Sequence, residues 1–132
     1  MVKGFTCGQF DVTHYGHYLM FEECKKQCSY LIVGLQTDPT LDRPEKNKPV
    51  QTTTERFIQL SACKYIDEVM IYNTEEELYE LLKDLNPDIR FVGADHKGKP
   101  FTGDDLDIKV IFNSRDHNYS SSSLRQRVCQ NI

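Results

Sequence analysis

The chain has 132 residues, of which 39% are apolar and 27% charged, and a formal net charge of −4. That is enough for one domain with its own core and too little for two, and no apolar run approaches the roughly 20 residues that cross a bilayer. The acidic balance argues against nucleic-acid binding through bulk positive charge, and Met1-Val2-Lys3 leads into a strand-like segment with no signal-like start, so a cytoplasmic location is expected.

In chain order, residues 4–7 read as a first strand, followed by a Gly/His loop over 8–17 and a helical stretch that puts Phe21, Cys24 and Cys28 on one face. The apolar run 30–35 suits a strand covered on both faces. Residues 36–51 form a long polar loop in which Pro39, Pro44 and Pro49 oppose helix, and long loops tend to be functional. Thr52-x-x-Glu55 has capping-box spacing and opens a second helix through about Cys63, before a strand at 68–72. Thr74-x-x-Glu77 is another such box; its helix carries Leu78, Leu81, Leu82 and Leu85 on one stripe and stops before Pro87. Strands at 89–93 and 108–112 flank a Gly/Asp/Lys loop, and a Ser run from Ser120 to Ser123 leads into a terminal helix through Val128. No internal repeat or boundary divides the chain, so residues 1–132 are expected to form one domain.

This alternation predicts a parallel sheet of five strands with helices on both faces, a three-layer α/β/α arrangement that binds ligands beyond the carboxyl ends of its strands. That rim gathers the loops 8–17, 36–51, 93–107 and 113–123. Most of the basic clusters fall there: Arg43, Lys46, Lys48 and Arg56, then Lys97 and Lys99, then Arg115, Arg125 and Arg127. A small polyanionic ligand is the expectation, against the alternative of a solvated charged face. The five cysteines make no paired framework; Cys24 and Cys28 share a helical turn but lack zinc-spaced partners, which favours small buried hydrophobes over a metal pair.

The richest segment is Gly8-Gln9-Phe10-Asp11-Val12-Thr13-His14-Tyr15-Gly16-His17, where a strand hands over to a helix. Gly16 permits close approach of a phosphate, the helix start offers N–H donors, and two imidazoles three residues apart share one side of the first turn. They can donate to a phosphate oxygen as charge builds there; the other reading is a pair of capping or metal-binding histidines.

With that loop, Glu55-Arg56, Lys64-Tyr65-Ile66-Asp67-Glu68-Val69, Val92-Gly93-Ala94-Asp95 and Arg115 before the Ser run, nearly the whole chain resembles the cytidylyltransferase-like nucleotidyltransferases, most closely the small glycerol-3-phosphate cytidylyltransferases. The resemblance implies a Rossmann-like fold, usually a homodimer, and a reaction that joins the nucleoside monophosphate part of an NTP to a phosphorylated alcohol and releases pyrophosphate. It assigns His14, His17 and Lys46 to catalysis. Gly8, Gln9, Phe10, Asp11, Gly16, Gly93, Asp95, Arg115, Ser120, Ser121 and Ser122 fall to the nucleotide, and Arg56 and Lys48 to the acceptor. It also implies CTP with Mg²⁺ and small-molecule partners, with no nucleic acid and no membrane insertion.

For Arg56 and Lys46 a plain surface role is the alternative, and for Asp95 a turn cap. Asp67 and Glu68 read as a structural or dimer-contact element, and His96, His117 and the 97–102 loop stay unassigned. Gln9 stands where the family has Thr, Gly93-Ala94-Asp95-His96 where it has Gly-Asp-Asp-Trp, and Tyr119 where it has Ile; the first two sit where base or acceptor identity is read. Rival functions are adenylyl transfer from ATP to a sugar phosphate, FMN or a pantetheine-like phosphate, and a non-catalytic nucleotide sensor.

Overall fold

The computed structural model describes residues 1–114 and 120–131, and of Ser121 the backbone alone. Strands β1 (Lys3–Gly8), β2 (Tyr30–Gln36), β3 (Glu68–Tyr72), β4 (Ile89–Val92) and β5 (Lys109–Phe112) form one sheet in the order β3-β2-β1-β4-β5. Every pairing is parallel. The helices are α1 (Tyr15–Lys25), α2 (Thr53–Ser61), α3 (Glu75–Leu85) and α4 (Ser121–Gln130). This is the Rossmann-like α/β architecture that the alternation of elements predicts.

Side-chain alternation along β2 sets the layers. Leu31, Val33 and Leu35 pack with Phe21 and Cys24 of α1 and Leu60 of α2, while Ile32 joins Phe5, Leu78 and Leu82 on the α3 side. A strand buried on both faces is apolar at nearly every position, which is why residues 30–35 show no polar alternation. In the predicted leucine stripe, Leu78 and Leu82 are buried and Leu81 and Leu85 lie at its margin. Asn86 then closes α3 in the left-handed conformation, φ 44°, just before Pro87.

Three local expectations change. Helix α1 stops at Lys25, so Cys28 lies beyond it; its thiol donates to the Cys24 carbonyl at 3.3 Å. Cys24 is fully buried in the core, where burial pushes its thiol far above the ordinary value, and all five cysteines are free. The loop after β2 is not wholly irregular, because Pro39–Leu41 forms a 3₁₀ turn capped by Asp38, whose carboxylate accepts from Thr40 N at 2.9 Å. Pro39 starts that turn, where a missing N–H costs nothing. Helix α4 runs to Gln130, past the expected Val128.

At the amino ends of β2 and β3, the Asp67 carboxylate accepts from Leu31 N at 2.8 Å and pairs with Lys25, and Glu68 accepts from Tyr30 OH at 2.9 Å. These bonds fix the strand starts, at the opposite end of the sheet from the loops expected to bind. Among the described residues no helix is long and apolar enough to cross a membrane.

Candidate active site

The first loop leaves β1 through an uncommon backbone path. Phe10 and Val12 have φ of 47° and 49°, in the left-handed region that a β-branched residue rarely enters without restraint. The restraint comes from the end of the long loop. The Asp11 carboxylate accepts from Val50 N at 2.8 Å and Gln51 N at 2.9 Å, and Val12 N donates to Gln51 Oε1 at 2.8 Å. Phe10 is thereby turned inward, its ring 5.3 Å from Phe21 and 5.8 Å from His17. Helix α1 then starts on a reciprocal cap: His14 Nδ1 accepts from Gly16 N, and His17 Nδ1 accepts from His14 N, each at 3.1 Å. Because each Nδ1 is an acceptor, the proton of each neutral ring resides on Nε2. The two rings stand 4.1 Å apart, so the loop presents paired N–H donors at a helix N-terminus.

Arg56 is the main correction. It is 1% exposed, and its guanidinium donates to the carbonyls of Gln51 (3.2 Å), Gln9 (2.8 Å), Gln36 (2.7 Å) and Thr37 (2.7 Å) and to Thr53 Oγ1 (3.3 Å). All five N–H donors are engaged, leaving none for an acceptor phosphate. Arg56 is a clamp from α2 that holds the first loop to the end of β2. Burial lowers its pKa, while Asp11 and Asp38 push it back up. Asp11 likewise spends its carboxylate on the long loop and on Arg125, 3.7 Å away, and so ties the first loop to both.

Two adjoining cavities open at the carboxyl ends of β1 and β4, where the strand order reverses and α/β sheets bind their ligands. Thr6, Cys7, Gly93 and His96 line both. The first, ≈ 400 Å³, is walled by His14, Gly16, His17, Asp95 and Ser120. Ser120 also caps α4, with its Oγ accepting from Ser123 N at 3.1 Å. The second, ≈ 580 Å³, is walled by Gly8, Gln9, Arg43, Lys46 and Arg90 and closed on one side by Pro100, Phe101 and Thr102.

The structure therefore brings together Gly8, Gln9, His14, Gly16, His17, Lys46, Gly93, Asp95 and Ser120. Lys46 lies in the cavity away from the histidines. Phe10 and Asp11 stand behind the wall, and Lys48 and Ser122 are exposed and line neither cavity. Lys97 and Lys99 also stay outside, so the basic clusters converge only in part. Arg115, His117 and Tyr119 lie outside the described residues, as does the Ser121 side chain.

Sequence reasoning missed Arg90 and Asn113. Arg90, 5% exposed on β4, donates to the Thr102 carbonyl, lies 5.0 Å from the Phe101 ring and approaches Cys7 Sγ at 3.9 Å. An arginine inside the run Ile-Arg-Phe-Val was the available signal, since a buried strand rarely keeps a charge without a use. Gly103, at φ 85°, lets the loop close over it; a Cβ there meets Leu82 Cδ1 at 2.8 Å and Arg90 Nη1 at 2.9 Å. Asn113 is buried directly after β5, where it lines the histidine cavity and accepts from the Cys24 thiol at 3.5 Å. Burial raises the Cys7 thiol against the pull of Arg90, and burial raises the Tyr72 hydroxyl, so both are neutral near pH 7 and neither is an activated nucleophile.

Comparison with known proteins gives the same outline. A model of the cytidylyltransferase-like family matches residues 5–127. The chain is 34% identical over 125 residues to the bifunctional protein HldE of Campylobacter jejuni subsp. jejuni serotype O:6, covering 94% of this chain and 27% of that protein. Against the bifunctional protein HldE of Wolinella succinogenes it is 34% identical over 110 residues, covering 81% and 23%. The chain spans about a quarter of the length of these relatives. The crystal structure of the lipopolysaccharide core biosynthesis protein from Thermoplasma volcanium shares the fold, with a TM-score of 0.74 at 23% identity over 89% of this chain and 99% of that one.

Proposed function

Because the chain belongs to the cytidylyltransferase-like family, we propose that it is a nucleotidyltransferase that moves the nucleoside monophosphate part of an NTP onto a small phosphorylated alcohol. One observation carries this reading: two cavities share a wall at the β1/β4 crossing, with paired histidines in one and Arg43, Lys46 and Arg90 in the other. Two anions thus meet at the shared wall of Thr6, Cys7, Gly93 and His96. An acceptor phosphate oxygen attacks the α-phosphorus in line, a P–O bond forms, and the bond to the departing pyrophosphate breaks. The attacking oxygen is already ionised and needs no general base, in keeping with the neutral Cys7 and Tyr72. His14 and His17 donate N–H to the α-phosphate as its charge rises, and the Ser120 start of α4 receives the outer phosphates.

Among the described residues no three His, Cys, Asp or Glu side chains gather as metal ligands. A Mg²⁺ would come as part of the nucleotide co-substrate and would supply charge neutralisation at its phosphates. CTP and glycerol 3-phosphate are the first substrates to test, and a homodimer is the proposed assembly, checked by light scattering on a sizing column. The deciding experiment is a pyrophosphate-release screen of the four NTPs against a panel of phosphorylated alcohols and sugars with Mg²⁺. Release with CTP and a polyol phosphate is the expected result. Preference for ATP replaces the cytidylyl reading with adenylyl transfer, and nucleotide binding without release from any pair overturns the enzyme reading in favour of a sensor.

A further inference from the structure

On the side of α3 the larger cavity is bounded by a partition that has an open cleft behind it. Glu75, Pro100, Phe101 and Thr102 line the cavity on one side and an outer cleft along α3 on the other. Glu75 is the charged residue of the four, and it joins two loops far apart in sequence. Its Oε1 accepts from Arg43 Nη2 at 3.2 Å and its Oε2 from the Thr102 hydroxyl at 3.0 Å. Its backbone N–H donates to the Asp42 carboxylate at 2.6 Å. The long loop is thus docked on the first turn of α3 twice, once by a backbone group and once by a side chain.

The two ties act differently. A carboxylate at a helix N-terminus is favourable, and the Asp42 bond is independent of the side chain at position 75, so it anchors the loop by itself. The Glu75 carboxylate instead fixes a guanidinium and a hydroxyl that both belong to the cavity wall. It engages one nitrogen of the Arg43 fork and leaves the others for an anion. Through Thr102 it also reaches a second cation. The Thr102 carbonyl accepts from Arg90, whose guanidinium lies 5.0 Å from the Phe101 ring. One carboxylate therefore sets Arg43 directly and Arg90 through the strap at 101–102. For stability the pair with Arg43 counts for little, because its side chains are 44% and 32% exposed and solvent screens them.

We propose that Glu75 is a positioning residue for the anion of the larger cavity. It touches no reacting atom; it holds Arg43 and the Thr102 strap where they meet that anion. The kinetic test rests on the nucleotidyl-transfer reading, in which the anion is the acceptor's phosphate, and the binding test does not. The 97–103 loop thereby gains a role as the wall that Glu75 pins from α3.

The test measures pyrophosphate release with Mg²⁺ by wild type, Glu75→Ala, Glu75→Gln and Thr102→Val, using CTP and glycerol 3-phosphate or the pair that the substrate screen selects instead. Glu75→Ala should raise the acceptor KM about tenfold or more and leave the nucleotide KM within about twofold. Its melting temperature should fall by no more than about 4 °C. Glu75→Gln keeps an oxygen for one of the two partners and should recover part of the loss. Thr102→Val cuts the second tie alone and should raise the acceptor KM about threefold. Arg43→Ala reads the route: adding Glu75→Ala to it should move the acceptor KM less than Glu75→Ala does in the wild type. An unmoved acceptor KM overturns the proposal, as does a lowered one, which shows the carboxylate competing with the ligand for Arg43. Equal rises in both KM values, or fully additive effects at positions 43 and 75, also overturn it. If Glu75→Ala does not fold, Glu75→Gln and Thr102→Val carry the same comparison. If wild type releases no pyrophosphate with any pair, the transfer reading falls by itself, and calorimetric titration with inorganic phosphate decides the role of Glu75. Phosphate binding weakened about tenfold by Glu75→Ala and also weakened by Arg43→Ala supports it. Binding that either variant leaves unchanged or tightens, or no binding by wild type, overturns it.

Discussion

At the start of α3, Thr74 Oγ1 accepts from Glu77 N at 3.2 Å while the Glu77 carboxylate accepts from Thr74 N at 3.0 Å. At the start of α1, the Nδ1 atoms of His14 and His17 perform the same two tasks at 3.1 Å each. The caps are alike, and what remains of each side chain differs. Threonine and glutamate place an exposed cap at the surface. The imidazoles cap with one nitrogen, and the other ring nitrogen carries a proton that takes no part in the cap. The foundations differ as well. Both cap residues are extended, Thr74 at φ −119° and His14 at φ −141°, but the His14 cap follows two left-handed non-glycine residues tied down by Asp11, Gln51 and the buried Arg56, and the Thr74 cap follows none. A helix start at the surface can be built from local residues; this one, in the wall of a cavity, is supported from distant parts of the chain.

The largest effect should come from removing that support. Arg56→Met leaves the carbonyls of Gln9, Gln36 and Thr37 buried without their donor. We expect a loss of about 3 kcal/mol or more in urea unfolding, with the first loop relaxing toward ordinary φ. A loss below about 1 kcal/mol, within the range of an ordinary surface change, shows that the first loop holds its shape unaided and removes the contrast with α3.

Next in size is the cap itself. His14→Ala is expected to lower kcat by about a hundredfold or more, the usual consequence of losing one transition-state donor. Its cost in stability is expected to be about 1 kcal/mol, that of a lost N-cap. The two numbers are read separately, by steady-state kinetics and by urea melts. Turnover within a fewfold of wild type, with the stability loss present, makes His14 a cap like Thr74 and nothing more.

The same contrast explains what was legible in the sequence. The caps at Thr52 and Thr74, the strand at 68–72, the doubly covered β2 and the paired histidines are local patterns, and each carries its own signal within a few residues. The family resemblance assigns Arg56 to the acceptor, and nothing local reveals that its donors reach carbonyls at positions 9, 36 and 37. Arg90 is the reverse case, a single charge inside an apolar strand, and its meaning appears only once β4 lies beside β1 at the reversal of strand order. Gln36 looked like the first residue of a loop and is the last of a strand, which is why it is buried and facing a cavity. Periodicity finds elements; it does not find the side chains that bridge them.

The smallest predicted effect belongs to the plainer helix start and has a pH signature. Glu77 accepts hydrogen bonds from the backbone N–H groups of Asn73 and Thr74, and these hold its carboxyl below the ordinary glutamate value. A carboxyl depressed in the folded state contributes stability that is fully present above its unfolded pKa, about 4.3, and is lost as pH falls through the lower folded value. Glu77→Gln should therefore melt slightly below wild type at pH 7, and the gap should close as the pH is lowered past 4, where the wild-type side chain takes up its proton. Kinetic constants at pH 7 should be unchanged, because α3 uses this cap only to begin. A gap in melting temperature that persists at pH 2.5 assigns the effect to packing and not to the charged cap. A change in kcat connects the Thr74 cap to the cleft and breaks the distinction between the two helix starts from the other side.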